Sequence, residues 1–531
     1  MACARVAPEP KSILPRLAAQ LMPLARRPRF ALIACFWFVC ALRASDLPME
    51  WTDPDTGHRI VQLSREGGTQ SLYFTQNAYT LDGTRILVTS PTGLSAINLK
   101  SGEITKVVEG RVNLVVTGRK TGAIFYQKEG ILYAMDPDTR VIRQVGKLPA
   151  RGSVSTVNAD ETLAAGAITL GPPWAGRSGR GEDRAGGSGS PAPGGGAAGS
   201  APPAGFVPPG SVANLDPPSE AMIPGRPVPG HDNYPGKGDM MERRLKAHLP
   251  MVLFTLNLVT GEYKEWLHST DWLGHLQYSP ADPTLLMYCH EGPWHKVDRI
   301  WTIRTEGDHP EPKLIHRRTI KMEIAGHEFW GADGKWIYYD LQTPRSEDFW
   351  VGSYNVETGA RIWYHLDRSQ WSVHYNVSRD GLLFSGDGGS PTGVGKSHED
   401  QWIFLFRPDL VPDDDIPSED TPLIQSAVFN PEKLVNMARH DYSVEPNATF
   451  SPDGKWLVFR SNMRGPTQVY AVEIARADPR PAAADPSRSR HRKGSRPASG
   501  GTPGTPGAPN AGGTGVPETL GVPPPPAPSE H

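Results

Sequence analysis

A short phrase recurs in this chain: one large polar residue, five residues, then a turn that opens a strand. It reads His275-LQYSP-Ala281, His327-EFWGA-Asp333, His374-YNVSR-Asp380 and Asn447-ATFSP-Asp453. Aligned on the turn, the chain has seven such entries, at Asp82-Gly83, Thr121-Gly122, Asp160-Glu161, Ala281-Asp282, Asp333-Gly334, Asp380-Gly381 and Asp453-Gly454. Uninterrupted neighbours lie 39, 39, 52 and 47 residues apart, the length of a four-stranded blade that buries its apolar faces only by stacking on its neighbours. The segments between turns, such as ILVTS, AIFYQ, MVLFTLNL, WIYYDL and WLVFRS, are β-rich, and no stretch shows a sustained helical period. The expected fold is therefore all-β, a seven-bladed β-propeller. A pair of β-sandwiches is the rival, and it does not explain so regular a phrase.

The chain's 56 Gly and 53 Pro are too many for 531 residues of packed core. They concentrate in residues 171–239 (GRGEDRAGGSGSPAPGGGAAGSAPPAG) and 476–531 (PRPAAADPSRSRHRKGSRPASGGTPGTPG), neither with an apolar period to offset ordering entropy. Both read as disordered, an insertion within or after the third blade and a tail, with the propeller spanning 45–475. Residues 1–44 read as a secretory leader: Arg26, Arg27 and Arg29 precede a mostly apolar run, Phe30–Leu42, too short to span a bilayer comfortably. Met22 offers an alternative start, and Leu32-Ile33-Ala34-Cys35 matches a lipoprotein box with few apolar residues ahead of it. Removing the leader moves the net charge from -2 to -8 and leaves Cys289 as the only cysteine. The mature chain is then periplasmic or secreted, without a stable membrane span or internal disulfide, read as a monomer, and it offers no general basic surface for nucleic acid.

In a propeller the first strand of each blade lines the central channel, so one register in successive blades converges on one depth. Six residues before each turn stand Gln76, Val115, Val154, His275, His327, His374 and Asn447, with Glu445 on the same face as Asn447. A lone histidine usually bonds within its own blade; three at one register argue for a shared site. Imidazoles with a carboxylate and an amide oxygen suit a divalent first-row ion such as manganese or zinc. Trp294, Trp330 and Trp371 stand close to His290, His327 and His374, where indole rings serve either sugar faces or packing between blades.

The fragments TDWLGHLQYSP, MYCHEGPWHKVDRIW, AGHEFWGADGKWIYYD and EPNATFSPDGKWLVF resemble those of the oligogalacturonate lyases, a polysaccharide lyase family of seven-bladed propellers. The likeness runs from about residue 47 to 475, outside the insertion. It implies β-elimination of short pectic oligomers, with manganese on the uronate carboxylate. It places the base on His275 and a metal ligand on His327, and His290, Glu291 and His374 also match family positions; these three and Arg299 are read as binding the uronic-acid oligosaccharide, and Glu445 and Asn447, which can both donate oxygen, as further metal ligands. Two positions depart from the pattern. The family's Gln-x-x-His-x-His run falls here on Tyr442, Glu445 and Asn447, and its catalytic arginine falls on Pro250, with Arg243 and Arg244 the nearest substitutes.

Two functions follow as expectations. The first is an exported, metal-assisted lyase for uronic-acid oligosaccharides with a histidine base. The second, motivated by the two departures and the SPDGKW phrase, is a non-catalytic periplasmic propeller, TolB-like, that binds a glycan or a protein. A hydrolase has no G-x-S-x-G elbow to build on.

Overall fold

Six of the seven turns that open the repeats have a left-handed residue in their second position, the exception being Ala281-Asp282. Gly83, Gly122, Gly334, Gly381 and Gly454 have φ between 68° and 75°, a region glycine enters without steric cost. In the third entry Glu161 takes the position at φ 57°, and its carboxylate accepts the Lys120 and Thr121 N–H groups of the preceding repeat at 2.7 Å. Each turn then reverses the chain into an antiparallel meander.

The computed structural model describes residues 49–170, 237–389, 395, 401–412 and 423–476. The leader read at 1–44, the insertion at 171–239 apart from its last three residues, and the tail beyond Arg476 lie outside these. The meanders form seven blades. Blade one pairs Arg85–Ser90, Gly93–Asn98 and Ile104–Glu109, with its inner edge reduced to the bridges Gln70 to Thr89 and Tyr79 to Ile86. Blade two runs from Asn113–Thr117 to Ile142–Lys147, and blade three from Gly152–Val157 to Tyr263–Ser269. Blade four runs from Trp272–Tyr278 to Lys313–Leu314, and blade five from Ile324–Trp330 to Arg361–Leu366. Blade six begins at Tyr375–Val377 and ends with Gln425–Asn436, which pairs parallel to the outer strand of blade five and joins the two into one eight-stranded sheet.

Blade seven closes the ring. Its strands Thr449–Phe450, Trp456–Ser461 and Gln468–Arg476 are completed on the outside by His58–Gln62 and Glu50–Thr52 from the other end of the chain. The apolar core accordingly lies in layers between blades. One joins Ile86, Leu87 and Val88 of blade one to Val458 and Val469 of blade seven, and another joins Ala165 and Leu253 of blade three to Leu273 and Tyr278 of blade four.

One expectation is corrected. A helix, Lys237–Ala247, follows the insertion, which falls in sequence between Leu163–Thr169 and Met251–Asn257, the paired middle strands of blade three. Met241 anchors this helix on Trp294 and Ile324. The helix is short and most of its residues are polar, so docking of one face, rather than a sustained apolar period, holds it. No helix among the described residues is long and apolar enough to cross a membrane.

Candidate active site

The innermost strands of blades four and five each carry a bulge at the same place. Pairing shifts between Gly274 and Gln277 in blade four and between Gly326 and Phe329 in blade five. Inside the bulges His275 and His327 adopt left-handed backbones, φ 49° and 47°. Histidine enters that region more readily than most residues, and a bulge re-aims the side chain it carries. A glycine precedes each histidine for a packing reason: a Cβ on Gly326 would lie 2.6 Å from the Trp294 ring. Asn447 of blade seven repeats the conformation at φ 52°, whereas His374 reaches the register without it. On the other side of the ring the register is structural. Val115 and Val154 are buried, and their carbonyls accept Gln76 Nε2 and Gln127 Nε2 at 2.9 and 2.7 Å.

His327 and His374 stand ring to ring, centroids 4.6 Å apart. Each is fixed through Nδ1 by an acid of its second strand, His327 to Asp340 Oδ2 at 2.7 Å and His374 to Asp387 Oδ2 at 2.8 Å. Nε2 is thereby the nitrogen each ring turns away from its acid, the arrangement seen around metal-binding imidazoles. His374 Nε2 is buried without a hydrogen-bond partner, and Glu445 Oε2 lies 3.9 Å from it. Burial, with Asp387 and Glu328 adding to it, pushes the Asp340 carboxyl well above the usual carboxylate range. Crowded buried acids beside an orphaned imidazole nitrogen are the surroundings a bound cation would relieve.

His275 belongs to a neighbouring cluster. Its Nε2 lies 3.5 Å from Glu291 Oε2; Glu291 Oε1 meets Arg299 Nη1 at 3.4 Å, and Arg299 Nε donates to Glu328 Oε2 at 3.1 Å. Burial pushes the Glu291 carboxyl up, but Arg299 and His275 more than offset it and hold it well below its ordinary range. His275, Cys289 and Glu291 also bring one donor atom each within 4.8 Å of one another. Burial pushes the Cys289 thiol well above its ordinary value, and Glu291 is already engaged by Arg299.

Tyr73 and Phe74, on a turn at the inner edge of blade one, stand between the two clusters. The Tyr73 ring lies 6.2 Å from His275 and 5.4 Å from His374, and the Phe74 ring 4.7 Å from His374. Burial, followed by the charges of Glu445 and Glu328, pushes the Tyr73 phenol well up. Asn447 holds this turn: its Oδ1 accepts the Phe74 N–H at 3.3 Å, its Nδ2 donates to the Glu445 carbonyl at 3.1 Å, and its own N–H goes to Asp387 Oδ2 at 3.0 Å. Arg460 braces both sides, donating to the Glu445 carbonyl at 2.7 Å and to Gln70 Oε1 at 3.0 Å. Asn447, expected as a metal ligand, is thus fully buried and spends its amide on the turn. Tyr442 likewise turns its hydroxyl to the Asp387 carbonyl, at 3.0 Å.

The remaining expected residues divide. His290 alternates to the other face of its strand from Glu291, against Trp301 at 4.9 Å and Asp271 Oδ2 at 3.6 Å, and is not brought to the cluster. Arg299, expected to bind substrate, is 2% exposed and sits over Trp294, so its guanidinium organises the site from behind. Arg299→Met, which strands Glu291 and Glu328 as facing buried acids, is expected to cost about 3–5 kcal/mol of stability in a denaturation experiment. Trp371 is 1% exposed and packs on Phe349, and Trp330 Nε1 donates to the Gln277 carbonyl at 3.1 Å, so both serve packing. Arg244, on the helix after the insertion, lies 4.3 Å over the Trp272 ring and adds positive charge at Glu291, while Arg243 is exposed.

Residues 247–477 match the family described as oligogalacturonate lyase. Over that stretch the chain is similar to the oligogalacturonate lyases. It is 28% identical over 238 residues to the oligogalacturonide lyase of Pectobacterium atrosepticum and 26% identical over 239 residues to the oligogalacturonate lyase of Dickeya dadantii. Each match covers 42% of this chain and 55% of the relative, so the chain spans about half the length of the curated relatives it matches. Among solved structures it is similar to an oligogalacturonate lyase in complex with manganese, with 21% identity, 80% of this chain and 96% of that one covered, and a TM-score of 0.57. An oligogalacturonate lyase from Vibrio parahaemolyticus matches at the same coverage and TM-score with 19% identity. These two likenesses establish the propeller fold, and the match over 247–477 takes in blades four to seven, where the imidazoles gather.

Proposed function

We propose that this protein is an exported lyase that cleaves uronic-acid oligosaccharides of the oligogalacturonate type by β-elimination, with His275 as the base and a divalent ion, manganese in kind, as cofactor. The observation that carries this reading is the pair of imidazoles fixed through Nδ1, beside Glu445 and one aromatic turn away from a third imidazole held differently. His327, His374 and Glu445 would hold the ion. The solved family member in complex with manganese supports the choice of metal.

The proton on C5 of a uronide is too weakly acidic for imidazole to remove unaided. The bound ion would supply positive charge at the uronate carboxylate, where enolate-like charge develops. His275, unprotonated and partly exposed to the channel, takes the C5 proton. The C5–H electron pair becomes the C4–C5 double bond, the C4–O4 bond breaks, and O4 leaves with its electron pair and takes a proton from solvent water. Arg299 keeps Glu291 ionised beside His275, and Arg244 supplies the rim with a guanidinium suited to a second substrate carboxylate.

The test is to incubate the purified protein with manganese and oligogalacturonides and follow ultraviolet absorbance. A rise from unsaturated product is expected; no rise with any uronide defeats the proposal. Ligand binding that survives both His275 replacement and chelation, without cleavage, would identify the glycan-binding propeller instead.

A further inference from the structure

The three imidazoles at the channel are held by opposite nitrogens. Acids take His327 and His374 at Nδ1, while the acid beside His275 meets it at Nε2. We propose that Glu291 is a positioning residue that fixes the tautomer of the base: it accepts the Nε2–H of His275 and leaves Nδ1 as the atom that receives the C5 proton. The proposal deepens the lyase reading and rests on it for the reaction, though not for the tautomer.

Four observations converge on this. Glu291 is anchored on its far oxygen by Arg299, itself 1% exposed and tied to Glu328, so the carboxylate cannot swing away to solvent. Gly274 opens the approach: a Cβ there would lie 3.3 Å from Glu291 Oε2, in the space the carboxylate uses to reach the next residue. The backbone of His275 is locked in the left-handed region by the bulge, which aims the ring at that carboxylate. Nδ1 of His275 takes no hydrogen bond among the described residues and is not among the buried unpartnered atoms, so it reaches solvent in the channel. The 3.5 Å contact is long for a hydrogen bond, as such contacts commonly are before substrate closes the site. Glu291 also stays acceptor-only, because Arg299 and His275 hold its carboxyl far below its ordinary range.

The proton accounting is simple. Neutral His275 begins with one proton, on Nε2. It takes the second, from C5, on Nδ1, and the imidazolium so formed is stabilised by the Glu291 carboxylate. The Nδ1 proton is then released to solvent, and the Nε2 proton never leaves the pair. Acids hold His327 and His374 by the other nitrogen, Nδ1, which suits them as ligands rather than as the base.

The experiment has two arms on the full chain. Nitrogen NMR of histidine-labelled protein, with the His275 signals assigned by difference from His275→Asn, is expected to show His275 as the Nε2–H tautomer. In Glu291→Gln the tautomer is expected to become mixed, kcat to fall by at least about 10²-fold with KM within about twofold, and Glu291→Asp to recover part of the loss. An Nδ1–H tautomer in the wild type, or Glu291→Gln turning over within about twofold of wild type, overturns the proposal. The wild-type spectrum needs no variant to fold. A wild type with an Nε2–H His275 and no activity on any uronide defeats the lyase reading while leaving the positioning role standing.

Discussion

His275→Asn is expected to cut uronide cleavage by about 10²–10⁴-fold, the contribution of a positioned base. Its unfolding midpoint is expected to stay near that of the wild type. Asparagine is the informative replacement because His275 has φ 49°, and asparagine accepts a left-handed backbone that alanine resists. The ring is 27% exposed and its side-chain partner is Glu291, which keeps Arg299 when the imidazole is gone. Loss of turnover with an unchanged midpoint, and with metal content retained, separates the base from a structural residue. An unimpaired His275→Asn would remove His275 from the chemistry.

The second large effect concerns the metal. Wild-type protein is expected to bind one manganese ion per chain, and chelation to abolish cleavage reversibly. Asp387→Asn is expected to weaken manganese binding by about 10–100-fold, measured by titration calorimetry or metal content. Asp387 is fully buried and accepts three N–H groups, from the His374 backbone, His374 Nδ1 and the Asn447 backbone. An amide there presents its own N–H to one of these donors, so the His374 ring loses the anchor that aims Nε2. His374→Asn should lose the ion more completely. Manganese bound with wild-type affinity by His374→Asn would contradict the ligand set.

Much of this was legible in the residues and some was not, for physical reasons. Five of the seven turns were legible because a left-handed second position selects glycine locally, at Gly83 as at Gly454. The histidines were legible because propeller symmetry converts one register into one place. Their partners follow the same symmetry one strand later: Asp340 and Asp387 each stand 13 residues after their histidine, and Arg460 stands at that offset from Asn447. That signal was present and is visible once the second strand is aligned as well as the first. In blade four the turn is one residue longer and the equivalent position is Cys289, paired with Gly274 as Asp340 is with Gly326; Glu291 stands two residues farther along that strand.

Other features depend on contacts far apart in the chain. Asn447 read as a ligand because its amide oxygen can serve either a cation or a backbone N–H. The choice is made by Phe74, 373 residues away. The closure of blade seven by His58–Gln62 is of the same kind. The helix Lys237–Ala247 follows a Gly/Pro-rich segment and owes its place to Met241 and to Arg244 over Trp272, contacts that no local period announces. Arg299 read as a substrate cation because arginine ordinarily stays solvated; two buried acids, Glu291 and Glu328, draw it inside.

Elimination, as opposed to hydrolysis, of a uronide in this channel is read from the chemistry of the new chain end. Oligogalacturonides cleaved by the manganese-loaded protein in heavy-oxygen water should give products that carry a C4–C5 double bond and no heavy oxygen, read by mass spectrometry. Saturated products that have gained one heavy-oxygen atom would mean hydrolysis, and would contradict the account.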